Sequence, residues 1–431
     1  MDLIDELGRS ARWSMGRLRQ RLRDRQVVRL TTPMAQPLGV ILLSYLIDPF
    51  LVEWSTVAPT DPIRWHTNFW ECRQIAQTFL NLGYSVDVIS YLNRHFQPRE
   101  KYAAVIDTRY NFERFLPYLD PDCVKIFHVD TANLTFSNHA EATRLLELQN
   151  RRGVTLLPRR MQPTSQAIEI ADCATILGNE FTMSTYRYAN KPLYRVPISS
   201  TVEMDLPEGK DFNAARRNFF WIGSSGLVHK GLDLMLEAFA QMPEFHLYIG
   251  GSIGGVTAES RQGAELLHET DFERAYYKEL YETPNIHTLG WVDMSSEQFR
   301  AIARNCASVT YASCSEGGGG SVIACMHAGL IPVVSYESSV DVEDFGFLFD
   351  SCSVEDIKRK IREVASLPAE DLKNRSLQTW QHVRANHTRD NFARVYRKTV
   401  EQIMRGRVAD VSGRVGGFRD VPAGVATGSV A

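Results

Sequence analysis

The 431-residue chain carries 48 Lys and Arg against 51 Asp and Glu, a net charge of −3, and 44% of its residues are hydrophobic. This length and composition are typical of a globular protein with two or three domains, each with its own core. The near balance of charge excludes a global electrostatic attraction to nucleic acid or to an anionic membrane, so any such contact requires a local basic patch.

The cysteines and the apolar segments indicate a cytoplasmic protein. The seven cysteines are isolated, odd in number and without a CxxC motif, which is more typical of reduced thiols than of a disulfide framework. The most apolar early segment, 39–46, is shorter than the roughly 18 residues that a membrane span needs. It is preceded by 38 residues, twelve of them charged, unlike the apolar segment of a signal peptide. We therefore expect a cytoplasmic location.

The first predicted element is a basic amphipathic helical segment over residues 1–30. It contains eight arginines, and its apolar residues recur at spacings of three and four. Such a helix can attach peripherally to the anionic inner face of a membrane, or it can be a solvated helix packed on the body of the protein. The sequence leaves both interpretations open and favours the second.

Residues 31–200 alternate short apolar runs with helical patterns. Helices are predicted at 68–82 and 137–151. Buried strands that alternate with helices are typical of a parallel sheet covered on both faces, so this stretch is predicted to be an N-terminal Rossmann-like domain. The predicted strands are 39–45, 84–90, 102–107, 123–129 and 173–178.

After a polar linker, 201–217, the same alternation returns in residues 218–376 and predicts a second Rossmann-like domain. The fold class is therefore α/β, with two doubly wound domains, and because ligands bind beyond the carboxyl ends of parallel strands, we expect the domains to face each other across a cleft. Terminal helices are predicted over 377–408 and a disordered tail over 409–431. The second domain's predicted strands are 218–223, 245–250, 285–290, 307–312 and 331–335, and its predicted helices are 230–242, 295–305 and 354–365.

Four consecutive glycines stand in the segment SEGGGGSVIACMHAGLIPVVS, residues 315–335. They follow a predicted strand and precede a helix predicted to begin at Ser321. Ordering glycine is entropically unfavourable, so the run needs a reason, and glycine lets a ligand approach the backbone amides that open a helix. With Glu316 beside them to accept hydrogen bonds from hydroxyls, the glycines indicate a site for a phosphate or a sugar.

Three segments, 219–240, 285–299 and 313–335, resemble the donor-binding domain of retaining GT-B glycosyltransferases of the family 4 type. The resemblance implies that Lys230 meets the donor diphosphate and that Glu316 contacts the donor sugar. The donor-binding residues it implies are Gly223, Ser224, Ser225, Lys230, Glu316, Gly317, Gly318, Gly319, Gly320 and Ser321.

The chain departs from this family pattern at two places. Ala324 stands where the family commonly has a second glutamate that binds the ribose, and Ser224 and Ser225 stand where it often has an arginine. Glu337 or Glu343 could supply the ribose contact.

The N-terminal half resembles the acceptor domain of the same family more loosely. The resemblance implies that His128, at the end of a predicted strand, points into the active site and acts as a catalytic residue with Glu316 and Lys230. His66, Asn68 and Asp130 are the implied acceptor-side residues.

These features predict a hexosyltransferase-type enzyme that moves a sugar from a nucleotide-sugar donor to a hydroxyl of a saccharide or lipid-linked acceptor. The resemblance further implies retention of anomeric configuration and a role in surface polysaccharide or glycolipid synthesis. Two alternatives remain open: a nucleotide-sugar epimerase, for which no strong pair of acid and base residues is evident, and a non-catalytic carbohydrate-binding or complex-forming protein of the same fold.

No cofactor, no metal and no nucleic-acid partner is expected. Asp120 and Asp122 have the DxD spacing of metal-using glycosyltransferases, but they flank a proline and are typical of a turn. The histidines and cysteines are too dispersed along the chain to indicate a zinc site. Basic residues cluster only in the N-terminal segment, and no nucleic-acid-binding module is evident.

Overall fold

The protein's structure, a computed structural model, describes residues 20–53, 55–58, 61, 66–200, 202–253 and 270–413. Within these ranges it contains two mainly parallel β-sheets, each flanked by helices. The predicted α/β class with two doubly wound domains is thereby confirmed.

The first sheet has seven strands in the order β1-β3-β2-β4-β5-β6-β7. β1 pairs antiparallel with β3, and the other pairings are parallel. The central strands are buried on both faces, as parallel sheets require. The strands are β1 (Val27–Leu30), β2 (Gly39–Tyr45), β3 (Tyr84–Ser90), β4 (Tyr102–Asp107), β5 (Val124–Val129), β6 (Cys173–Ile176) and β7 (Leu193–Arg195).

The helices of the first domain begin and end at recognisable signals. The long third helix is capped by Asn133, whose side chain accepts from Thr135 N at 3.0 Å, and ends at Gly153 with a left-handed φ of 69°. The helices are α1 (Thr67–Asn81), α2 (Phe112–Phe115), α3 (Leu134–Arg152), α4 (Ala167–Ile170) and α5 (Glu180–Ser184).

The second sheet has six parallel strands in the order β10-β9-β8-β11-β12-β13. Its strands are β8 (Asn218–Gly223), β9 (His246–Gly251), β10 (Ile286–Gly290), β11 (Ser308–Tyr311), β12 (Ile331–Val334) and β13 (Phe347–Leu348). Its helices are α6 (Phe212–Ala215), α7 (Leu232–Phe239), α8 (Thr270–Ala275), α9 (Tyr277–Tyr281), α10 (Glu297–Asn305), α11 (Gly320–Met326) and α12 (Val354–Ser366).

Two terminal helices, α13 (Ala369–Asn386) and α14 (Arg389–Gly413), link the domains. α13 adds Leu372 and Val383 to the core of the second domain. α14 adds Phe392 and Tyr396 to a core of the first domain. The chain therefore crosses back to its first domain between residues 386 and 389, a stretch called the terminal crossover below.

Three boundaries differ from the sequence predictions. In the segment predicted as a helix over 1–30, residues 1–19 lie outside the described residues, 20–24 are helical, and 27–30 form β1, because Val27 and Val28 favour a strand and the edge of β3 offers a partner. The predicted linker 201–217 contains α6. The last helix continues to Gly413, into the predicted disordered tail, of which 414–431 lie outside the described residues.

The end of α3 reaches the second domain. Arg151 Nη2 lies 2.6 Å from Asp233 Oδ2, and Arg152 Nη1 lies 2.7 Å from Glu279 Oε1. Leu148 and Leu156 belong to the hydrophobic core of the second domain. The two domains are thus joined by packed side chains as well as by the chain itself. In the described part of the chain, no helix combines the length and the apolarity that a membrane span demands.

Candidate active site

Lys230 and Glu316 meet at the carboxyl-terminal edge of the second sheet. Lys230 lies in the loop that follows β8, and Glu316 lies in the loop that follows β11. Lys230 Nζ lies 3.3 Å from Glu316 Oε1 and donates to Tyr311 Oη at 2.8 Å. Only 7% of Lys230 and 9% of Glu316 is exposed. The structure thus brings together two residues that are 86 positions apart.

The surroundings of Glu316 keep its carboxylate charged. Glu316 Oε1 accepts from Tyr311 Oη at 2.9 Å and from Ser313 Oγ at 3.1 Å. Burial by itself would raise the pKa of Glu316, but the charge of Lys230, followed by Arg160 and His229, lowers this pKa to about 2. The site is therefore a buried pair of full charges, in which Lys230 is already paired with Glu316.

Arg160 and His229 belong to this cluster, and the sequence patterns did not indicate either. The stem of Arg160 packs on Gly226, where a Cβ atom would lie 2.6 Å from Arg160 Cγ. Arg160 comes from the extended segment between α3 and α4 of the first domain. A positive charge from the first domain thus stands near the loop in which the family's arginine is replaced by Ser224 and Ser225. The only sequence feature that could have indicated Arg160 is that two arginines, Arg159 and Arg160, stand next to each other.

His229 lies next to Lys230 and is held by the glutamate loop. Its Nε2 lies 2.5 Å from the carbonyl oxygen of Ser315, so this nitrogen carries the proton. Its Nδ1 is buried without a hydrogen-bond partner. Burial lowers the pKa of His229, so the ring is neutral near pH 7 and offers an acceptor nitrogen inside the cluster.

The loop that carries Lys230 has little spare volume. A Cβ atom on Gly223 would lie 2.5 Å from Trp221 Cη2 and 3.0 Å from Lys230 Cδ, so a side chain there would displace the lysine. Ser224 and Ser225 are half-buried in the same loop. These three predicted donor-binding residues therefore lie beside Lys230, and their contact with a donor stays a prediction.

The glycine run packs on the backbone of the first domain. A Cβ atom on Gly317 would lie 2.5 Å from Thr131 Cα and closer still to the carbonyl oxygen of Asp130, and one on Gly318 would lie 3.2 Å from Gly178 N. Thr182 Oγ1 donates to the carbonyl oxygen of Glu316 at 3.2 Å. Close approach of the two domains is therefore a reason for these glycines that the sequence did not reveal.

The helix after this run begins one residue earlier than predicted. Gly320 is its first residue and Gly319 its N-cap, with a left-handed φ of 55° that favours glycine. Ser321 lies in the first turn and is half-buried. Binding of a donor phosphate by the backbone amides of this loop stays a prediction.

Asn68 and Asp130 meet on the first domain, opposite the glycine run. Asn68 Nδ2 lies 3.4 Å from Asp130 Oδ2, and Asp130 forms an ion pair with Arg109. His66 caps α1, its Nδ1 accepting from Asn68 N at 3.3 Å, and is exposed. All three predicted acceptor-side residues therefore lie near one end of α1.

His128 is fully buried in β5. Its Nδ1 lies 2.9 Å from Thr175 Oγ1, and its ring contacts Tyr45 and Tyr396, with centroids 5.7 and 6.0 Å away. Burial lowers the pKa of His128 to about 4, so the ring is neutral at pH 7. Because none of its surface is exposed in this conformation, its predicted catalytic role requires a change in the packing of Tyr45 or Tyr396.

The glutamates considered for ribose binding and the aspartates with DxD spacing each contact other residues of the protein. Glu343 Oε1 lies 3.3 Å from His382 Nδ1, and the carbonyl oxygen of Glu337 accepts from Glu316 N at 2.9 Å. Asp120 and Asp122 both face Lys101, at 3.8 and 3.5 Å. Ribose binding by Glu337 or Glu343, and a reaction without a metal, stay predictions.

Glu71 on α1 is a buried carboxyl group that the sequence patterns did not indicate. Its Oε1 accepts from both N and Oγ of Ser199 at 2.9 Å. Burial raises the pKa of Glu71 to about 8, against the lowering effect of these two hydrogen bonds. Glu71 therefore ties α1 to the segment that leads into the second domain.

We expect Glu71→Gln to change how stability depends on pH. In the native state the pKa of Glu71 is raised from 4.5 to about 8. The neutral carboxyl therefore stabilises the fold fully below pH 4.5, and this contribution is lost as the pH rises through about 8. The variant has no such proton to lose. Between pH 5 and 8 its free energy of unfolding should rise relative to wild type by roughly 2–4 kcal/mol, at about 1.4 kcal/mol per pKa unit.

Urea unfolding at several pH values measures this difference. Glu370→Gln, at a side chain that is 69% exposed, is the matched control and should follow the wild-type curve. A difference between Glu71→Gln and wild type that stays constant with pH would contradict the raised pKa.

Comparison with known proteins identifies the fold. No family model matches the sequence, and no curated protein matches it significantly. The structure is similar to sucrose-phosphate synthase from Thermosynechococcus elongatus, with a TM-score of 0.54 and 13% identity over 86% of this chain and 99% of that one. It is also similar to an α,α-trehalose-phosphate synthase (UDP-forming) from Burkholderia vietnamiensis, with a TM-score of 0.54 and 9% identity over 88% of this chain and 99% of that one. The chain therefore has the two-domain GT-B fold.

Proposed function

We propose that the protein is a glycosyltransferase that moves a sugar from a nucleotide-sugar donor to a hydroxyl group of an acceptor. The observation that carries the proposal is the buried pair of Lys230 and Glu316 at the carboxyl ends of β8 and β11, where ligands of parallel α/β sheets bind. The GT-B fold adds an argument by analogy. The name of the trehalose-phosphate synthase states that it forms UDP, so UDP-sugars are the first donors to test.

On the donor side, the proposed chemistry is charge stabilisation. Departure of the nucleoside diphosphate concentrates negative charge on the β-phosphate, and fixed positive groups there lower the barrier. Lys230, with Arg160 and the amides of the glycine run, would provide that charge. Glu316, held by Tyr311 and Ser313, would accept hydrogen bonds from the sugar hydroxyls and orient the anomeric carbon.

On the acceptor side, a shallow pocket that is open to solvent lies on the first domain. Its lining includes Arg109, Thr131, Gln162 and Tyr186. Arg109 pairs with Asp130, which contacts the glycine run of the second domain. We propose this pocket as the place of the saccharide or lipid-linked acceptor, with polar groups for hydroxyls and an arginine for an anionic group.

Donor binding at the glycine run requires the domains to separate. Gly317 and Gly318 are covered by Asp130, Thr131 and Gly178. The segment around Ser199 and the terminal crossover are the two chain connections that could act as hinges. The conformation described here would then be the closed one, and the donor would bind to an open one.

The resemblance of segments 219–240 and 313–335 to retaining enzymes supports retention of configuration as part of the proposal. A role in surface polysaccharide or glycolipid synthesis, a cytoplasmic location and peripheral membrane contact through the arginine-rich segment 1–30 belong to the same proposal. They are supported by the sequence alone.

Incubation with a panel of UDP-, GDP-, ADP- and dTDP-sugars tests the proposal, with mass spectrometry of the products and an assay for released nucleoside diphosphate. We expect one donor to release its diphosphate, and faster with an acceptor mixture than without. Glu316→Gln should lose this release, and Lys373→Met, at a side chain that is 64% exposed, should retain it. Binding of a nucleotide sugar without release would instead indicate a non-catalytic binding protein.

A further inference from the structure

Three metal-ligating side chains meet at the terminal crossover, away from Lys230 and Glu316 in the chain. Asp341 lies in the segment after β12, His382 lies on α13, and His387 is the C-cap of α13. One ligand atom from each of the three lies within 4.8 Å of the others. The three residues come from two separate parts of the chain, so their convergence is a product of the tertiary fold.

His387 is oriented as a metal ligand. Its Nδ1 lies 3.1 Å from the carbonyl oxygen of Ile198. A carbonyl only accepts, so Nδ1 carries the proton and Nε2 carries the lone pair. This Nε2 is buried and has no hydrogen-bond partner, and only 5% of the residue is exposed. A buried acceptor without a partner is unfavourable and calls for an explanation.

His382 repeats the same arrangement. Its Nδ1 lies 3.3 Å from Glu343 Oε1, and its Nε2 is also buried without a hydrogen-bond partner. The two imidazole rings are neighbours, with centroids 5.9 Å apart. In metal sites, a histidine ligand commonly donates its other ring N–H to a carboxylate or a carbonyl, which fixes the tautomer and raises the basicity of the ligating nitrogen. Both histidines have such a partner.

Asp341 adds a carboxylate to the two imidazole nitrogens. One of its carboxylate oxygens pairs with Arg195 of the first domain, whose Nε also donates to the carbonyl oxygen of Gly178 at 2.8 Å. A carboxylate can keep this pair with one oxygen and bind an ion with the other. Arg195 would then hold the carboxylate ligand in place, as Glu343 and Ile198 hold the two imidazoles.

We propose that Asp341, His382 and His387 bind a zinc ion that links the second domain to the terminal crossover. Two imidazole nitrogens and one carboxylate oxygen form a donor set that zinc accepts, with water as the fourth ligand, whereas Mg²⁺ and Ca²⁺ prefer all-oxygen sites. A tetrahedral zinc with bonds of about 2.0–2.1 Å holds its ligand atoms roughly 3.3 Å apart. The present ligand atoms lie within 4.8 Å of one another, so the cluster would contract by up to about 1.5 Å on binding the ion.

The position of the ion suggests a structural role. It would join α13 to the segment after β12, directly beside Ile198 and Arg195 of the first domain. Such an ion would stiffen the crossover between the domains. This inference does not depend on the proposed glycosyl transfer, because its test measures metal binding alone.

The full chain, dialysed against EDTA and then against metal-free buffer, is titrated with ZnCl₂ and followed by calorimetry and by the melting temperature. We expect about one zinc ion per chain with a Kd of about 1 μM or lower, and a higher melting temperature, because an ion that binds only the folded chain stabilises it. Co²⁺ in place of Zn²⁺ should show the intense visible bands of a tetrahedral site. Wild-type protein with no zinc site tighter than about 100 μM would overturn the proposal.

Variants locate the ion. His387→Gln and His382→Gln should weaken zinc binding by at least about 100-fold, and Glu343→Gln by about 10–100-fold, as expected for the loss of a supporting carboxylate. The matched control is His287→Gln, because His287 Nε2 lies 3.0 Å from His246 Nδ1 in another pair of neighbouring histidines. The control should bind zinc as wild type does.

Unchanged zinc affinity in folded His387→Gln, or loss of zinc binding in His287→Gln, would overturn the assignment. Circular dichroism of each metal-free variant shows whether it is folded. If a histidine variant fails to fold, the wild-type titration and the Glu343→Gln variant still decide the question.

Discussion

Lys230→Met is expected to lower turnover of the nucleotide sugar by at least about 100-fold, the usual effect of removing a group that stabilises charge in a transition state. The variant should also lose stability. Lys230 Nζ lies 3.3 Å from the buried carboxylate of Glu316, and breaking a buried ion pair by removing one partner costs roughly 3 kcal/mol, because the other charge stays uncompensated. Tyr311 and Ser313 still donate hydrogen bonds to Glu316 in the variant, so the loss of stability should not exceed this value.

A double variant separates the two effects. In Lys230→Met with Glu316→Gln, both charges are gone, so the free energy of unfolding should return toward the wild-type value, whereas turnover should stay as low as in the single variant. Lys373→Met is the control for the loss of a positive charge at the surface. Wild-type turnover in folded Lys230→Met would defeat the assignment of Lys230 to the donor diphosphate.

The acid stability of the single variant provides an independent check of the ion pair. Because the pKa of Glu316 is lowered from 4.5 to about 2, the ionised carboxylate stabilises the fold above pH 4.5, and this contribution is lost as the pH falls through about 2. Without Lys230 the pKa of Glu316 rises. The stability deficit of Lys230→Met relative to wild type should therefore shrink as the pH falls from 4.5 toward 2, because only the wild type loses the contribution of the ionised pair over this range.

Gly317→Ala is expected to have the second large effect, by forcing the domains apart. Its Cβ atom would lie 2.5 Å from Thr131 Cα and would overlap the carbonyl oxygen of Asp130. Backbone atoms of a packed domain cannot give way as a flexible side chain can. We expect an increased radius of gyration in small-angle X-ray scattering and turnover lowered by at least about 10-fold, because a reacting geometry misplaced by about 1 Å loses one to two orders of magnitude.

Gly406→Ala is the matched control, because a Cβ atom there meets nothing within 4 Å. In the helix interior it should be neutral or should stabilise the protein by up to about 1 kcal/mol. If Gly317→Ala has the scattering profile and the turnover of wild type, contact between the glycine run and the first domain is not part of the active conformation.

Much of the fold could be predicted because buried parallel strands have a recognisable pattern of apolar residues in the sequence. Strands such as β2 and β8 are buried on both faces, so they stand out as continuous apolar runs between amphipathic helices. Edge strands lack that pattern. β1 has alternating exposure, β7 has only three residues and β13 only two, and each depends on a neighbouring strand for its conformation.

The candidate site was predictable only in part. The glycine run after a strand, with Glu316 beside it, indicated a phosphate or sugar site, whereas Lys230 was indicated only by the resemblance of its segment, 219–240, to a donor-binding domain. Arg160 and Glu71 carry no such pattern. Their importance comes from partners far along the chain, Gly226 and Ser199, and from burial that shifts the pKa of Glu71.

The amino-acid sequence by itself determined the two α/β units and the glycine run between a strand and a helix, because hydrophobic periodicity and turn chemistry act between residues close along the chain. Only the tertiary structure decided that the glycine run packs on Asp130 and that two histidines join Asp341 at the crossover. Such contacts depend on the distance and orientation between whole domains. That geometry is set by the sum of many packing interactions and has no counterpart in a local pattern.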